Sequence, residues 1–252
     1  MKVKVINLNL WFGGKLFDSA LSFIVKENPD ILLLQEVYDG KDSSFPKNLR
    51  TLEILKKELN LKYFYFSPAF LEKLKDGKKV ERGNAVFSKF PIKSKNTIFY
   101  DIPYAEYEEY KLTDYSFIPR NLQHVVIRIE DKNYNVFNTQ GIWGFDGRDS
   151  KRRIEMSNTI IKATKDKENV VLAGDFNVNP DTKTVENIEH YFVNVFKDEL
   201  TTSFNMNRKS NIGYATAVVD MIFISRNLKA VSHYCPNVDI SDHLPLVCTF
   251  DL

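Results

Sequence analysis

The chain has 252 residues, 43% hydrophobic and 27% charged, with 35 Lys and Arg against 33 Asp and Glu for a net charge of +2. This is the balance of a soluble globular chain long enough to close a large core; it excludes a strongly basic polyanion binder, so any basic character must be local. The opening MKVKVINLNLWFGG is too short and too interrupted for a signal peptide or membrane span, which makes a cytoplasmic monomer with no membrane insertion the expectation, with Cys235 and Cys248 reduced and packed.

In chain order, residues 3–9 (VKVINLN) are a predicted strand. Residues 16–27 are a predicted helix with Leu16, Ala20, Phe23 and Ile24 on one face, and PDILLLQE is a buried strand. A helix is expected over 47–59, then strands near 62–66, 84–88, 122–130 and 133–139, the last two a hairpin turning at Asp131 to Asn133. A basic helix over 149–165 follows, then VVLAGDFN, a short helix after Pro180, HYFVNVF, VVDMIFIS, LKAVSHYC and LPLVCTF. No repeat or Pro/Gly/Ser-rich linker interrupts the chain, so one domain spanning 1–252 is the simplest organisation. Strands with interspersed helices predict an α/β fold of two packed sheets with helices on their outer faces.

Polar residues collect at strand ends. Asn9 ends the first strand, Glu36 ends ILLLQE, and Asp175 and Asn177 end VVLAGDFN two residues apart, on one side. Asp220 interrupts an apolar strand, where a buried carboxylate needs a partner such as His243. Asp242 and His243 stand in SDHLPLVCTF before an alternating apolar run. Singly, each has an ordinary explanation: a solvated strand end, an Asx-turn, a Ser-Asp turn. As a set they are what a hard cation and a phosphate ester require. Magnesium, with manganese as an alternative, takes oxygen ligands and needs one or two carboxylates, here Glu36 and Asp242. Asp175 would orient or deprotonate an attacking water, Asn177 would fix it, and His243, held by Asp220, would donate to a phosphate oxygen.

The ordered series LNLW, LLLQEVY, GNAVFSKFPI, FNTQ, LAGDFNVNP, VDMIFIS and SDHLPL resembles the endonuclease/exonuclease/phosphatase superfamily of DNase I-like and exonuclease III-like enzymes, from Asn9 to His243. The resemblance implies a four-layer α/β sandwich and a metal-dependent phosphoric ester hydrolase. It also implies Asn9 and Glu36 at the metal, Asp175 and Asn177 at the nucleophile, Asp220 paired with His243, and Asp242 beside the metal. One position departs from the family pattern: FNTQ ends in Gln140, where a His is usual. Gln is no general acid, although its amide can still donate to a phosphate oxygen.

Arg120 resembles a family position near the substrate phosphate, with a surface salt bridge as the alternative. Trp143 and Phe145 follow a site strand in GIWGFDGRD and are expected to line the pocket. The insert 101–121 is acidic and Tyr-rich, and is expected to pack onto the body, with stacking on bases or sugars as the other reading. Two basic segments, with Lys73, Lys75, Lys78, Lys79 and Arg82 in one and Arg148, Lys151, Arg152 and Arg153 in the other, are solvated faces or nucleic-acid contacts. Nucleic acid is therefore the first expected substrate. A small phosphorylated metabolite or lipid headgroup is the second. A non-catalytic binding module is third, disfavoured by the complete set of site residues.

Overall fold

The computed structural model describes residues 1–209 and 217–251. In chain order its elements begin with β1 (Lys2–Asn9), α1 (Phe17–Glu27), β2 (Ile31–Tyr38), α2 (Thr51–Glu58), β3 (Tyr63–Lys73), β4 (Lys79–Ser88), β5 (Ile92–Phe99) and β6 (Glu106–Tyr107). They continue with β7 (Asn121–Ile129), β8 (Lys132–Gln140), α3 (Lys151–Thr164), β9 (Val170–Asp175), α4 (Lys183–Glu189), β10 (Val193–Asn194), β11 (Asp220–Ile224), β12 (Lys229–Tyr234) and β13 (Leu246–Asp251). One sheet has seven strands in the order β12-β13-β1-β2-β4-β3-β6; the other has six, in the order β10-β11-β9-β8-β7-β5. Both are mixed, with β1 and β2 parallel, β8 and β9 parallel, and the flanking pairs antiparallel.

Side-chain alternation along these strands builds four layers. Ile6, Leu8, Leu32, Leu34 and Phe87 turn outward onto Ala20 and Ile24 of α1 and Leu52 and Leu55 of α2. On the far side, Phe137, Leu172 and Phe223 turn outward onto Met156 and Ile160 of α3 and Val185 and Ile188 of α4. The residues between them in sequence face the opposite sheet, where Val3, Val5, Leu33, Val136, Val171, Ala173 and Ile222 make a shared apolar layer. Both cysteines are free, Cys248 in this layer and Cys235 packed against it.

Followed along the strands, that inner layer changes character, and the change positions the site. The apolar residues give way to amides: Gln35 donates to Asn7 (2.9 Å) and Asn138 (2.6 Å), and Asn138 donates to Gln123 (3.0 Å). These amides bond one another between the two sheets, while Asn7 Nδ2 and Gln35 Oε1 are buried and find no partner among the described residues. One or two residues further along stand Asn9, Glu36, Gln140 and Asp175. A closed polar seam therefore separates the dry core from a charged rim.

Three sequence expectations are corrected. The basic segment FLEKLKDGKK, where no strand is predicted, forms a β-hairpin: β3 runs to Lys73 and turns through Asp76 and Gly77 (φ 82°), a pair suited to a tight turn. The segment HYFVNVF contributes only the two-residue β10. Strand β5 was not expected, since this sheet-edge strand is mostly exposed and polar and shows no apolar alternation. Among the described residues no helix is long and apolar enough to cross a membrane.

Candidate active site

Sheet register alone aligns three of the predicted residues. Gln140 lies opposite Asp175 across β8 and β9, and Asp175 lies opposite Asp220 across β9 and β11. Glu36 needs more. Simple alternation would send it away from Gln35, but the β2–β4 register slips between Leu34 and Val37, and Glu36 adopts φ 59°. The bulge lets both side chains face inward. Asn177 (φ 56°), Trp11 (φ 60°) and Phe12 (φ 50°) are also left-handed and all line the same cavity. Such conformations cost roughly 1–3 kcal/mol each and persist where the surroundings fix them.

The converging side chains form one network. Asn9 donates to Asp175 Oδ2 (3.1 Å) and weakly to Glu36 (3.5 Å), which makes it a bridge between the expected metal ligand and the expected base. Asn177 donates through its backbone to Asp175 Oδ1 (3.0 Å) and through its amide to the Gly141 carbonyl (3.0 Å), so the Asx-turn and the site coincide. Asp220 accepts from Ser203 Oγ (2.7 Å) and pairs with His243 Nδ1 (2.8 Å), as expected. The other ring nitrogen of His243 lies 4.0 Å from Asp242, and Phe204 packs edge-on against the ring. Ser241 ties this loop to β1 by donating to the Asn9 carbonyl (2.7 Å).

Gln140 replaces the usual histidine with a strut. Its Nε2 donates to Glu36 Oε1 (2.8 Å), while its Oε1 accepts from Arg120. One neutral side chain thus joins the expected metal ligand to the expected phosphate-binding arginine. Arg120 is 4% exposed and, among the described residues, has no carboxylate within 4 Å.

Four participants escaped the sequence reading. Arg82 was counted with a basic surface segment, yet it is 2% exposed. It pairs with Glu36 (2.8 Å) and Glu109, with Glu72 at 4.0 Å, and its guanidinium lies over the rings of Phe12, Tyr38 and Phe70. Glu109 arrives from the 101–121 insert, and Tyr115 from the same insert meets Trp143 edge-to-face at 5.6 Å. Lys209 contacts Asp242 (2.9 Å). A usable signal existed only for Arg82, which stands immediately before the strand-like run GNAVF. Trp143 lines the cavity as expected, whereas Phe145 is 68% exposed beside it.

Several residues of the two basic segments are engaged in ion pairs. Lys73 pairs with Glu108 (3.2 Å), Lys79 with Glu106 (2.6 Å), Arg148 with Asp181 (2.7 Å) and Arg152 with Asp101. Arg153 is buried and donates to the Ile142 carbonyl (3.0 Å). Much of this charge fastens the insert to the body instead of forming an open polyanion surface.

Burial sets the electrostatics, and neighbours correct it. Burial pushes the Glu36 carboxyl up, but Arg82, the Phe12 N–H and Arg120 outweigh it and hold Glu36 at about 2. At Asp175, burial with the charges of Asp220 and Glu36 outweighs His243 and raises the carboxyl to about 6. Burial opposes the charge on His243, yet Asp220 and Asp242 raise it to about 9, so the imidazolium is the form at neutral pH. At Glu109, burial, Glu72 and Glu36 outweigh Arg82 and raise the group to about 7.

The donor chemistry suits a hard divalent cation. Glu36 and Asp242 offer oxygens to a cavity of about 330 Å³, with Asn9 beside them holding the Trp11 N–H on its amide oxygen (3.0 Å), and a cation there would answer the charges of Asp220 and Glu36 that add to burial in raising Asp175. Asp175, Asp220 and His243 form a second group, with donor atoms within 4.8 Å of one another.

Among curated proteins none matches this sequence. Solved structures similar to it include an endonuclease/exonuclease/phosphatase from Bacteroides vulgatus, 16% identical, covering 100% of this chain and 99% of that one with a TM-score of 0.74. D. rerio TDP2 complexed with a single-strand DNA product is 15% identical over 100% and 99% of the two chains, TM-score 0.71. A Bacteroides thetaiotaomicron mannosyl-6-phosphatase is 16% identical over 99% and 100%, TM-score 0.65. These likenesses identify the sandwich as DNase I-like. The family model described as Endonuclease/Exonuclease/phosphatase matches residues 6–243, and the chain belongs to that family.

Proposed function

We propose that the chain is a magnesium- or manganese-dependent hydrolase of a small phosphate ester. The observation that carries this reading is Arg120, a buried guanidinium that faces the cavity beside Gln140 with no carboxylate partner among the described residues. Glu36, Glu109 and Asp175 act on this guanidinium only from a distance, and a phosphate in the cavity would give it a direct, charge-assisted partner. The cavity is at the small end of ligand sites, and the neutralised basic segments weigh against a long polyanion.

A metal ion held by Glu36, Asp242 and Asn9 would neutralise charge on the phosphoryl oxygens. Asp175, whose carboxyl is held above the usual carboxylate range by burial and by Asp220 and Glu36, is placed to take a proton from the attacking water, and Asn177 orients that water. His243, kept charged by Asp220, donates to a non-bridging oxygen as negative charge grows there. Gln140 holds Glu36 and Arg120 in register. The water oxygen bonds to phosphorus, the ester P–O bond breaks, and the leaving oxygen takes a proton from a source other than residue 140.

The nucleic-acid reading retains one support, the aromatic side chains of Trp11, Phe12 and Trp143 in the cavity, on which a base can stack. The test is inorganic phosphate release from an aryl phosphate with magnesium, with chelator, and with Asp175→Asn. Release that needs both the metal and the carboxylate supports the proposal. Release that persists in chelator, or that survives in the folded variant, refutes it.

A further inference from the structure

We propose that the 101–121 insert turns one wall of the cavity into a sugar-binding surface. The Tyr115–Trp143 corner receives the C–H face of a pyranose or similar ring polyol, and Glu109, fixed by Arg82, accepts its hydroxyls. This rests on the phosphate-ester reading above and names the leaving group.

Glu109 is 5% exposed and lines the cavity beside Arg82 and Arg120. One of its oxygens is held by Arg82; the other has no hydrogen-bond partner among the described residues. A fixed carboxylate oxygen of this kind is an acceptor for a hydroxyl. Arg82 has its own charge answered by Glu36 and Glu109 at close range and Glu72 at 4.0 Å, so this end of the cavity does not call for a second anion. A neutral polyol therefore fits it better than a second phosphate. Trp143 and Tyr115 line the same cavity as the pair and meet edge-to-face at 82° with centroids 5.6 Å apart. Apolar ring faces beside a directional acceptor match a sugar, which is apolar on its C–H face and hydroxylated at its edge.

The wall is also prebuilt. Lys73 holds Glu108, Arg152 holds Asp101, and Tyr107 packs edge-on against Phe70 at 6.0 Å. The insert is tied down along its length, so little ordering cost is left for the ligand to meet.

Steady-state phosphate release is compared for a hexose 6-phosphate, methyl phosphate and a 5′-phosphorylated oligonucleotide, each with magnesium. The wild-type chain should prefer the hexose phosphate. Trp143→Ala and Glu109→Gln should lower kcat/KM on it about tenfold more than on methyl phosphate, whose leaving group is too short to reach the wall, with most of the change in KM. Equal losses on both substrates, or a wild-type preference for methyl phosphate or the oligonucleotide, would overturn the sugar wall while leaving the phosphatase reading intact. No release from any substrate, aryl phosphate included, would overturn both. If either variant fails to fold, Tyr115→Ala tests the same wall from the half-buried insert.

Discussion

Replacing Glu109 by Gln should make the protein more stable at alkaline pH and leave it nearly unchanged below pH 4.5. In the folded chain this carboxyl titrates at about 7, against an ordinary value of 4.5, because burial and the charges of Glu72 and Glu36 outweigh Arg82. The folded state therefore binds the proton more tightly than the unfolded state. The associated stability is fully present below pH 4.5 and is lost as pH rises through 7. Some 2.5 pKa units at about 1.4 kcal/mol each amount to roughly 3 kcal/mol. At 5% exposure solvent screening removes little of it, and it is a large share of the roughly 5–15 kcal/mol that holds a typical domain together. Gln is close in shape to the protonated acid and does not titrate. Urea unfolding of both proteins in chelator at pH 5, 6, 7 and 8 gives the difference curve. Asp175 and His243 also titrate, but they occur in both proteins and their contributions largely cancel. The difference should be about 1 kcal/mol at pH 5 and reach about 3 kcal/mol in favour of the variant by pH 8. Parallel curves, or a variant that loses stability as pH rises, would show that the Arg82 pairing governs Glu109 and that the reasoning is wrong.

Asp175→Asn should lower turnover by roughly 10²–10⁴-fold while the thermal midpoint stays close to wild type, as checked by phosphate release and calorimetry. Arg120→Met should raise KM and weaken inhibition by inorganic phosphate, since the unpaired buried guanidinium is lost; unchanged phosphate inhibition would remove it from the substrate site. Asp220→Asn removes the carboxylate that keeps His243 charged up to about 9, so the alkaline limb of the pH–rate profile should move to lower pH. An unmoved limb would assign it to another group. Gln140→His puts an ionisable group between Glu36 and Arg120 at the cavity and should raise turnover on alkyl phosphates; unchanged or lower turnover in a folded variant counts against a leaving-group role for this position.

The strand-end logic of the sequence was sufficient to bring the candidate residues together. Asp175, Asn177, Asp220 and His243 each end, begin or interrupt an apolar run, and backbone register then aligns them. Glu36 was legible as a carboxylate after ILLLQ, but not the bulge that turns it inward, which depends on pairing with β4. Arg82 and Glu109 were not legible as partners because they are 27 residues apart and meet only when the insert folds over the β3–β4 hairpin. The basic segments misled in the same way. A run of lysines looks solvent-facing and free until the acids that answer it, Glu106 and Glu108, are brought alongside from the insert. Gln140 could be seen as a departure from the family pattern, whereas its bridging of Glu36 and Arg120 is a matter of three-dimensional placement.

The choice between a small phosphate ester and a polyanion is tested most directly by the salt dependence of turnover. Hexose 6-phosphate and a single-stranded oligonucleotide are hydrolysed in parallel, with magnesium fixed, from about 50 to 500 mM monovalent salt. Release of contacts to several phosphates would make log kcat/KM fall steeply with log salt. The expected result is turnover of the hexose phosphate with a shallow slope and little cutting of the oligonucleotide. Efficient, steeply salt-sensitive cleavage of the oligonucleotide, with the hexose phosphate left intact, would contradict it.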